Sequence, residues 1–124
     1  LTGSGLRFDG VYDSPMGSIH YFMRFFERGN VALVAGWQRP GDPIDISSYL
    51  TRDVKSGMHS VHNVPVTWRG DSLFFTTMAM RGAIIYAGSI DGDSLHFNKL
   101  SKVNGRRSVA DYSFRPDSLG RPVQ

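Results

Sequence analysis

The strongest chemical signal in this chain is an arginine set among aromatic residues. Tyr21-Phe22-Met23-Arg24-Phe25-Phe26 places a guanidinium between rings, in mid-segment and away from any turn residue. If the segment is a β-strand, alternate side chains share a face. Arg24 then groups with His20, Phe22 and Phe26, while Tyr21, Met23 and Phe25 form the other face. An inward guanidinium needs an anionic partner, because an unpaired buried charge is costly. Its planar fork suits a carboxylate, and the rings suit an acyl or aromatic body. With Tyr12 and Tyr112 in support, the candidate ligand-binding set is Arg24, Phe22, Phe26, Tyr12 and Tyr112. Turned outward, Arg24 would only cover apolar surface with its stem. The inward face therefore decides. Phe22, Arg24 and Phe26 inside would make a polar-headed cavity, and Tyr21, Met23 and Phe25 inside would make a filled interior.

The remaining chemistry-bearing residues read as structural. His59-X-X-His62 is the only close histidine pair, and a metal site would need further donors from His20 or His96 on other segments. Cysteine is absent, which removes disulfides, thiolate metal sites and a cysteine nucleophile. Asp91 and Asp93 flank Gly92 as in an ordinary hairpin, and Asp42 and Asp45 suit the start of a helical turn. Ser47 and Ser48 lack a nucleophile-elbow context, and no glycine-rich phosphate loop is present. The expectation is no catalytic residue, no metal and no cofactor.

Charge and length narrow the partners. The chain has 124 residues and a net charge of +3, and its eleven arginines are scattered along the sequence. A nucleic-acid binder would cluster them on one stripe, so the expectation is a solvated surface and no nucleic acid. No apolar run approaches the ~18 residues of a spanning helix, so no membrane span is expected. The remaining partners are a small apolar ligand or another protein, with the oligomeric state left open.

Any such site must be held by strands. Glycine-centred turns at Gly29, Gly70, Gly82, Gly92 and Gly105 separate short runs rich in β-branched and aromatic residues. Strands are predicted over 8–14, 19–27, 31–38, 60–68, 73–80, 83–90, 95–101 and 109–115. Pro65 marks an edge, a bulge or a late start within the fourth. Eight strands in an even meander can close into an all-β, antiparallel up-and-down barrel. Between the third and fourth strands, Ile46, Tyr49, Leu50 and Val54 fall at helical spacing, which predicts one short amphipathic helix on the barrel or over its mouth. Residues 1–116 form a single domain in this reading, and 117–124 form a tail.

Three segments resemble a known family. Phe8-Asp9-Gly10-Val11-Tyr12 resembles the Gly-X-aromatic opening of the calycin superfamily of lipocalin-like barrels. Tyr21 to Phe26, followed by Gly29-Asn30-Val31, resembles the second and third strands of small lipocalin-like domains. Asp111-Tyr112-Ser113-Phe114-Arg115 resembles the closing strand, where calycins often set an Arg against the opening aromatic. The resemblance implies a barrel with an interior site and implies no activity. The expected function is a non-catalytic barrel holding a small apolar or amphipathic ligand. The alternative is a solid-core structural or protein-interaction module, and an enzyme is the third reading. Leu1-Thr2-Gly3-Ser4 has the shape of a bacterial lipoprotein cleavage box with serine in the place of the lipidated cysteine, which points to a periplasmic or lipoprotein-derived chain. A Gly-Ser linker remnant would look the same.

Overall fold

Turn residues at short intervals, with pleat-forming residues between them, favour hairpins over helices. The computed structural model describes residues 5–79 and 81–117, and these fold around one antiparallel sheet. The motif at residues 1–4 and the tail beyond Asp117 lie outside the described residues. The strands are β1 (Gly10–Met16), β2 (Ile19–Phe26), β3 (Asn30–Trp37), β4 (His62–Pro65), β5 (Thr67–Arg69), β6 (Ser72–Ala79), β7 (Gly82–Asp91), β8 (Ser94–Ser101) and β9 (Arg107–Pro116). Their spatial order is β4-β3-β2-β1-β9-β8-β7-β6-β5. The first and last strands pair, from Gly10↔Pro116 to Asp13↔Ser113, so the meander curls round into a nearly closed up-and-down barrel.

There are nine strands among the described residues where the turn spacing predicts eight. The predicted fourth strand divides at Val66. β4 pairs with β3 through Asn30↔Pro65, and β5 pairs with β6 through Trp68↔Leu73. Pro65 has no N–H to extend a ladder, and it sits at the end of an edge strand, where proline is tolerated. β4 and β5 are the two edges of the sheet, and the single residue Val66 links them. The Val66 N–H donates to the Gly29 carbonyl at 2.9 Å, which keeps the crossing chain against the β3 side. Gly29, Gly70 and Gly92 take φ of 108°, 55° and 59°, the left-handed values that tight turns require.

Two apolar layers form. The interior holds Tyr12, Met23, Phe25, Leu73, Phe75, Leu95, Phe97 and Tyr112, with Leu6 and Phe8 closing one end. Its rings meet edge-to-face, Tyr12 on Phe25 at 5.8 Å and Phe75 on Phe97 at 5.5 Å. The outer layer covers β1 to β3. There Val11, Phe22, Ala32 and Val34 pack under Leu50 and Val61, with Ile46, Tyr49 and Val54 alongside.

The segment supplying that cover is not the predicted amphipathic helix. It carries two 3-10 turns, Ile46–Tyr49 and Met58–Ser60. Leu50 is buried and Ile46, Tyr49 and Val54 are half-buried against the sheet, as their spacing requires, but Ser47, Ser48, Thr51 and Asp53 are weak helix formers whose side chains compete for backbone groups. Asp45 accepts from the Ser47 N–H at 3.0 Å and caps the first turn.

Candidate functional site

The strand parity that buries Phe25 also determines which of the sequence-predicted site residues can meet. Tyr12 and Tyr112 point into the barrel. Phe22 and Phe26 lie in the outer layer, and Arg24, between them on the same face, lies outside as well. Its guanidinium pairs with the Asp117 carboxylate, the longer of the two contacts being 3.3 Å. The five residues therefore do not form one interior site. Tyr21, Met23 and Phe25 face the interior instead, the arrangement expected of a filled barrel.

The filling is uneven along the barrel axis. At the end where Leu6 and Phe8 enter, large rings pack densely, and the Tyr12 hydroxyl accepts from the Arg7 N–H at 3.0 Å. Toward the other end the inward positions become small or polar. Ser14, Tyr21 and Ala35 align across β1, β2 and β3, and Thr77 faces Ile84 across β6 and β7. There the wall leaves a cavity of about 180 Å³, lined by Tyr21, Tyr86, Thr77, His62, Leu33 and Ile84 and by two of the sequence-predicted residues, Phe22 and Tyr112.

Lys99 is the residue that the sequence reading passed over. It follows Leu95 and Phe97 on the inward face of β8 and sits opposite Tyr86. Its ammonium lies 5.2 Å from the centre of the Tyr21 ring and 5.7 Å from that of Tyr86. β8 and β2 are not neighbours in the sheet, so a contact between Lys99 and Tyr21 crosses the interior. Both rings line the cavity. Among the described residues Lys99 forms no salt bridge, and burial pulls its ammonium below the usual lysine range. Ring faces attract the cation but do not neutralise it. Burial pushes the Tyr86 phenol up, partly offset by its hydrogen bond with Thr77. Burial also pushes the Tyr112 phenol far above the ordinary range, reinforced by its neighbours Tyr86 and Tyr21. Both phenols therefore remain protonated and able to donate at neutral pH. The signal for Lys99 was present in the sequence, because Leu95, Phe97 and Lys99 alternate just as Phe22, Arg24 and Phe26 do.

Three further concavities lie outside this cavity, one of about 190 Å³ being lined by Lys99 with Ile85, Ala87, Asn98, Leu100 and Arg107. A groove of about 360 Å³ on β6 to β9 includes Phe74, Val109, His96 and Asp111, and its polar pair is already joined, His96 Nδ1 to Asp111 at 2.8 Å. A second, of about 230 Å³, lies between the β3–β4 segment and β9. Its charges are also matched. Arg115 reaches Asp45 at 3.1 Å and Ser47 Oγ at 3.0 Å, and Arg24 meets Asp117. In both, the charged groups are already partnered.

Asp45 anchors the covering segment, and its protonation should release it. Burial alone would raise its pKa, but the Ser47 hydroxyl and N–H and the Arg115 guanidinium outweigh burial and hold the carboxyl below its ordinary 3.8. A depressed folded pKa stabilises above the unfolded value, and the stabilisation is lost as pH falls through the folded pKa. Protection of the amides of residues 45–50, measured relative to their intrinsic exchange rate at each pH, should therefore stay constant from pH 7 to about 4 and fall below that. Asp45→Asn should remove the pH step. A step of the same size in that variant would assign the release to another group.

The histidine pair separates. His59 stacks on Tyr49 with ring centres 4.2 Å apart, outside the barrel, and His62 lines the cavity. Among the described residues, no helix is long and apolar enough to cross a membrane. No protein-family model, curated protein or solved structure gives a significant match to this chain.

Proposed function

We propose that the protein is a non-catalytic, lipocalin-like binding barrel whose open end holds a small amphipathic anion. A single observation carries this reading. Among the described residues Lys99 forms no salt bridge, and its ammonium lies over two rings, Tyr21 and Tyr86, that line a cavity of about 180 Å³. A cavity of about 150 Å³ accommodates benzene, so the ligand is ring-sized or a short chain. Its carboxylate would meet the Lys99 ammonium and the phenol hydroxyls, and its apolar body would lie against Leu33 and Ile84. The likeness to lipocalin-like barrels rests on the up-and-down order and the pairing of the first and last strands, and it adds no activity.

The competing reading is a solid-core interaction module, and the ring packing of the closed half favours it. Calorimetric titration with benzoate and with hexanoate separates the two. The binding reading expects saturable binding, weakened roughly 10- to 100-fold by Lys99→Met, since a hydrogen bond to a charged group contributes about 1.5–3 kcal/mol. Met keeps the length of the side chain, so the fold should persist. Arg24→Ala, changed on the outer face, should bind as wild type does. Affinity should fall at high pH, beginning below the ordinary lysine value of 10.5, because burial lowers the pKa at which the ammonium loses its charge. Absence of binding by either acid would leave the solid module.

A further inference from the structure

Alternate hairpins of a meander point to opposite ends of its barrel, and here that geometry sorts charges that the sequence scatters. The β1–β2, β6–β7 and β8–β9 hairpins and the exit of β3 lie at the open end. They carry Arg39, Arg81, Lys102, Arg106 and Arg107, and none of the three hairpin loops contains a carboxylate. The hairpins at the closed end carry Glu27, Asp71, Asp91 and Asp93 in or beside their loops.

Pairing follows the same division except at Arg69, beside the β5–β6 hairpin, which is exposed and forms no salt bridge among the described residues. At or near the closed end, Arg7 pairs with Asp9 and Asp93, and Arg28 and Arg52 pair with Asp53. Among the described residues, none of the five cations of the open end forms a salt bridge, and all five are exposed. Asp42, on the β3–β4 segment, accepts from the backbone N–H of Arg39 at 2.8 Å.

The same end also presents apolar side chains to solvent. Met16 is 69% exposed, Trp37 60%, Met78 66% and Val103 47%. Met16, Ile19 and Trp37 align across β1, β2 and β3 at the rim. The Arg39 guanidinium lies 4.8 Å from the centre of the Trp37 ring, a pairing of aromatic and cation suited to a headgroup layer.

We propose that the open end of the barrel docks on an anionic lipid surface, with the four apolar side chains entering the headgroup layer and the five cations facing lipid phosphates. Charge complementarity decides the occupant. The apolar side chains follow the rim, Met16 and Trp37 flanking Ile19 on one side and Met78 and Val103 on the β6 and β8–β9 side, with cations interspersed. They form a ring around the barrel mouth and not a groove for a folded partner. A fluid, negatively charged surface adapts to such a ring and attracts each cation independently. The inference does not depend on what the cavity binds, since every residue it uses lies on the rim.

Co-sedimentation with vesicles tests it. The probe is phosphatidylcholine vesicles with about one lipid in three replaced by phosphatidylglycerol, beside vesicles of phosphatidylcholine alone. The protein should sediment with the anionic vesicles only, and about 0.5 M salt should release it. Arg81→Gln combined with Lys102→Gln should lower partitioning roughly 25-fold, at about fivefold per surface cation. Tryptophan emission should shift to the blue on binding, and Trp37→Phe should abolish the shift while Trp68 remains. Arg69→Gln, beside a closed-end hairpin, should bind as wild type. Equal binding to both vesicles, or equal loss in the Arg69 variant, would overturn the proposal. So would binding to soluble polyglutamate of the same strength without a shift at Trp37, which would assign the cations to an acidic macromolecule.

Discussion

Gly10→Val should leave the barrel unable to close. Gly10 stands where β1 meets β9, paired with Pro116. A Cβ placed there would lie 2.2 Å from the Arg115 carbonyl oxygen, 2.7 Å from the Pro116 Cα and 2.7 Å from the Phe114 ring. Two of these three atoms are backbone of the closing strand, so no rotamer change relieves the clash. Either β1 shifts away and loses its ladder with β9, or β9 moves and withdraws Tyr112 and Phe114 from the interior. Overpacking by side chains alone costs about 1–3 kcal/mol, and a backbone clash exceeds that. A domain of this size has about 5–15 kcal/mol in all, and each kcal/mol moves the melting temperature by roughly 3–6 °C. A thermal melt followed by circular dichroism should show a fall of at least about 10 °C, or no cooperative transition. Gly17→Ala is the comparison. Gly17 has φ of 64°, but no neighbouring atom lies within 4 Å, so the variant bears only the backbone strain of about 1 kcal/mol. If the two variants melt alike, the β1–β9 seam is misplaced.

Phe25→Ala and Phe22→Ala should fail in different ways although both remove a buried ring from one strand. Phe25 is fully buried in the interior, with Tyr12 at 5.8 Å and Phe75 at 6.3 Å between ring centres. Truncating it leaves a void among rings held by the barrel wall, where collapse is limited, and should cost about 3–5 kcal/mol of global stability. Phe22 is equally buried, but beneath the segment joining β3 to β4 and beside the Arg115 guanidinium, 5.2 Å from its ring centre. Its loss should loosen the cover before it loosens the barrel interior, which Phe22 does not enter. Phe22→Ala should therefore raise hydrogen exchange and proteolysis within residues 39–61 before it lowers the main denaturation midpoint. Chemical denaturation combined with exchange separates the two results. A global loss for Phe22→Ala as large as for Phe25→Ala would mean that the cover and the barrel form one cooperative unit.

Local chemistry made the architecture legible. Turn glycines at Gly29, Gly70 and Gly92, with β-branched and aromatic runs between them, specify hairpins because positive φ and pleated packing are properties of the residues themselves. The all-β meander, the edge position of Pro65 and the burial of Ile46, Tyr49, Leu50 and Val54 could all be read in this way. The helical spacing of those four residues was a weaker guide. It correctly identified the buried side chains but not the conformation that presents them, because serine, threonine and aspartate between them favour turns.

Which side chains face the barrel interior was not legible, for a reason rooted in the second strand. Tyr21, Met23 and Phe25 are as apolar as Phe22 and Phe26, so alternation names two faces without saying which is inside. The choice is made by the segment after β3, which covers one side of β2 and leaves the other to the barrel interior. Arg24 thereby became a surface partner of Asp117, and Lys99, unremarked in the sequence, became the interior cation. The sorting of Arg81, Lys102 and Arg106 to one end likewise follows from strand direction, which no local window contains. By itself the sequence determined where the chain turns and that it pleats, since these depend on the conformational limits of single residues. Only the curled sheet decided which side chains face one another, because Lys99 and Tyr21 are 78 positions apart and meet only across an interior that exists once β1 has paired with β9.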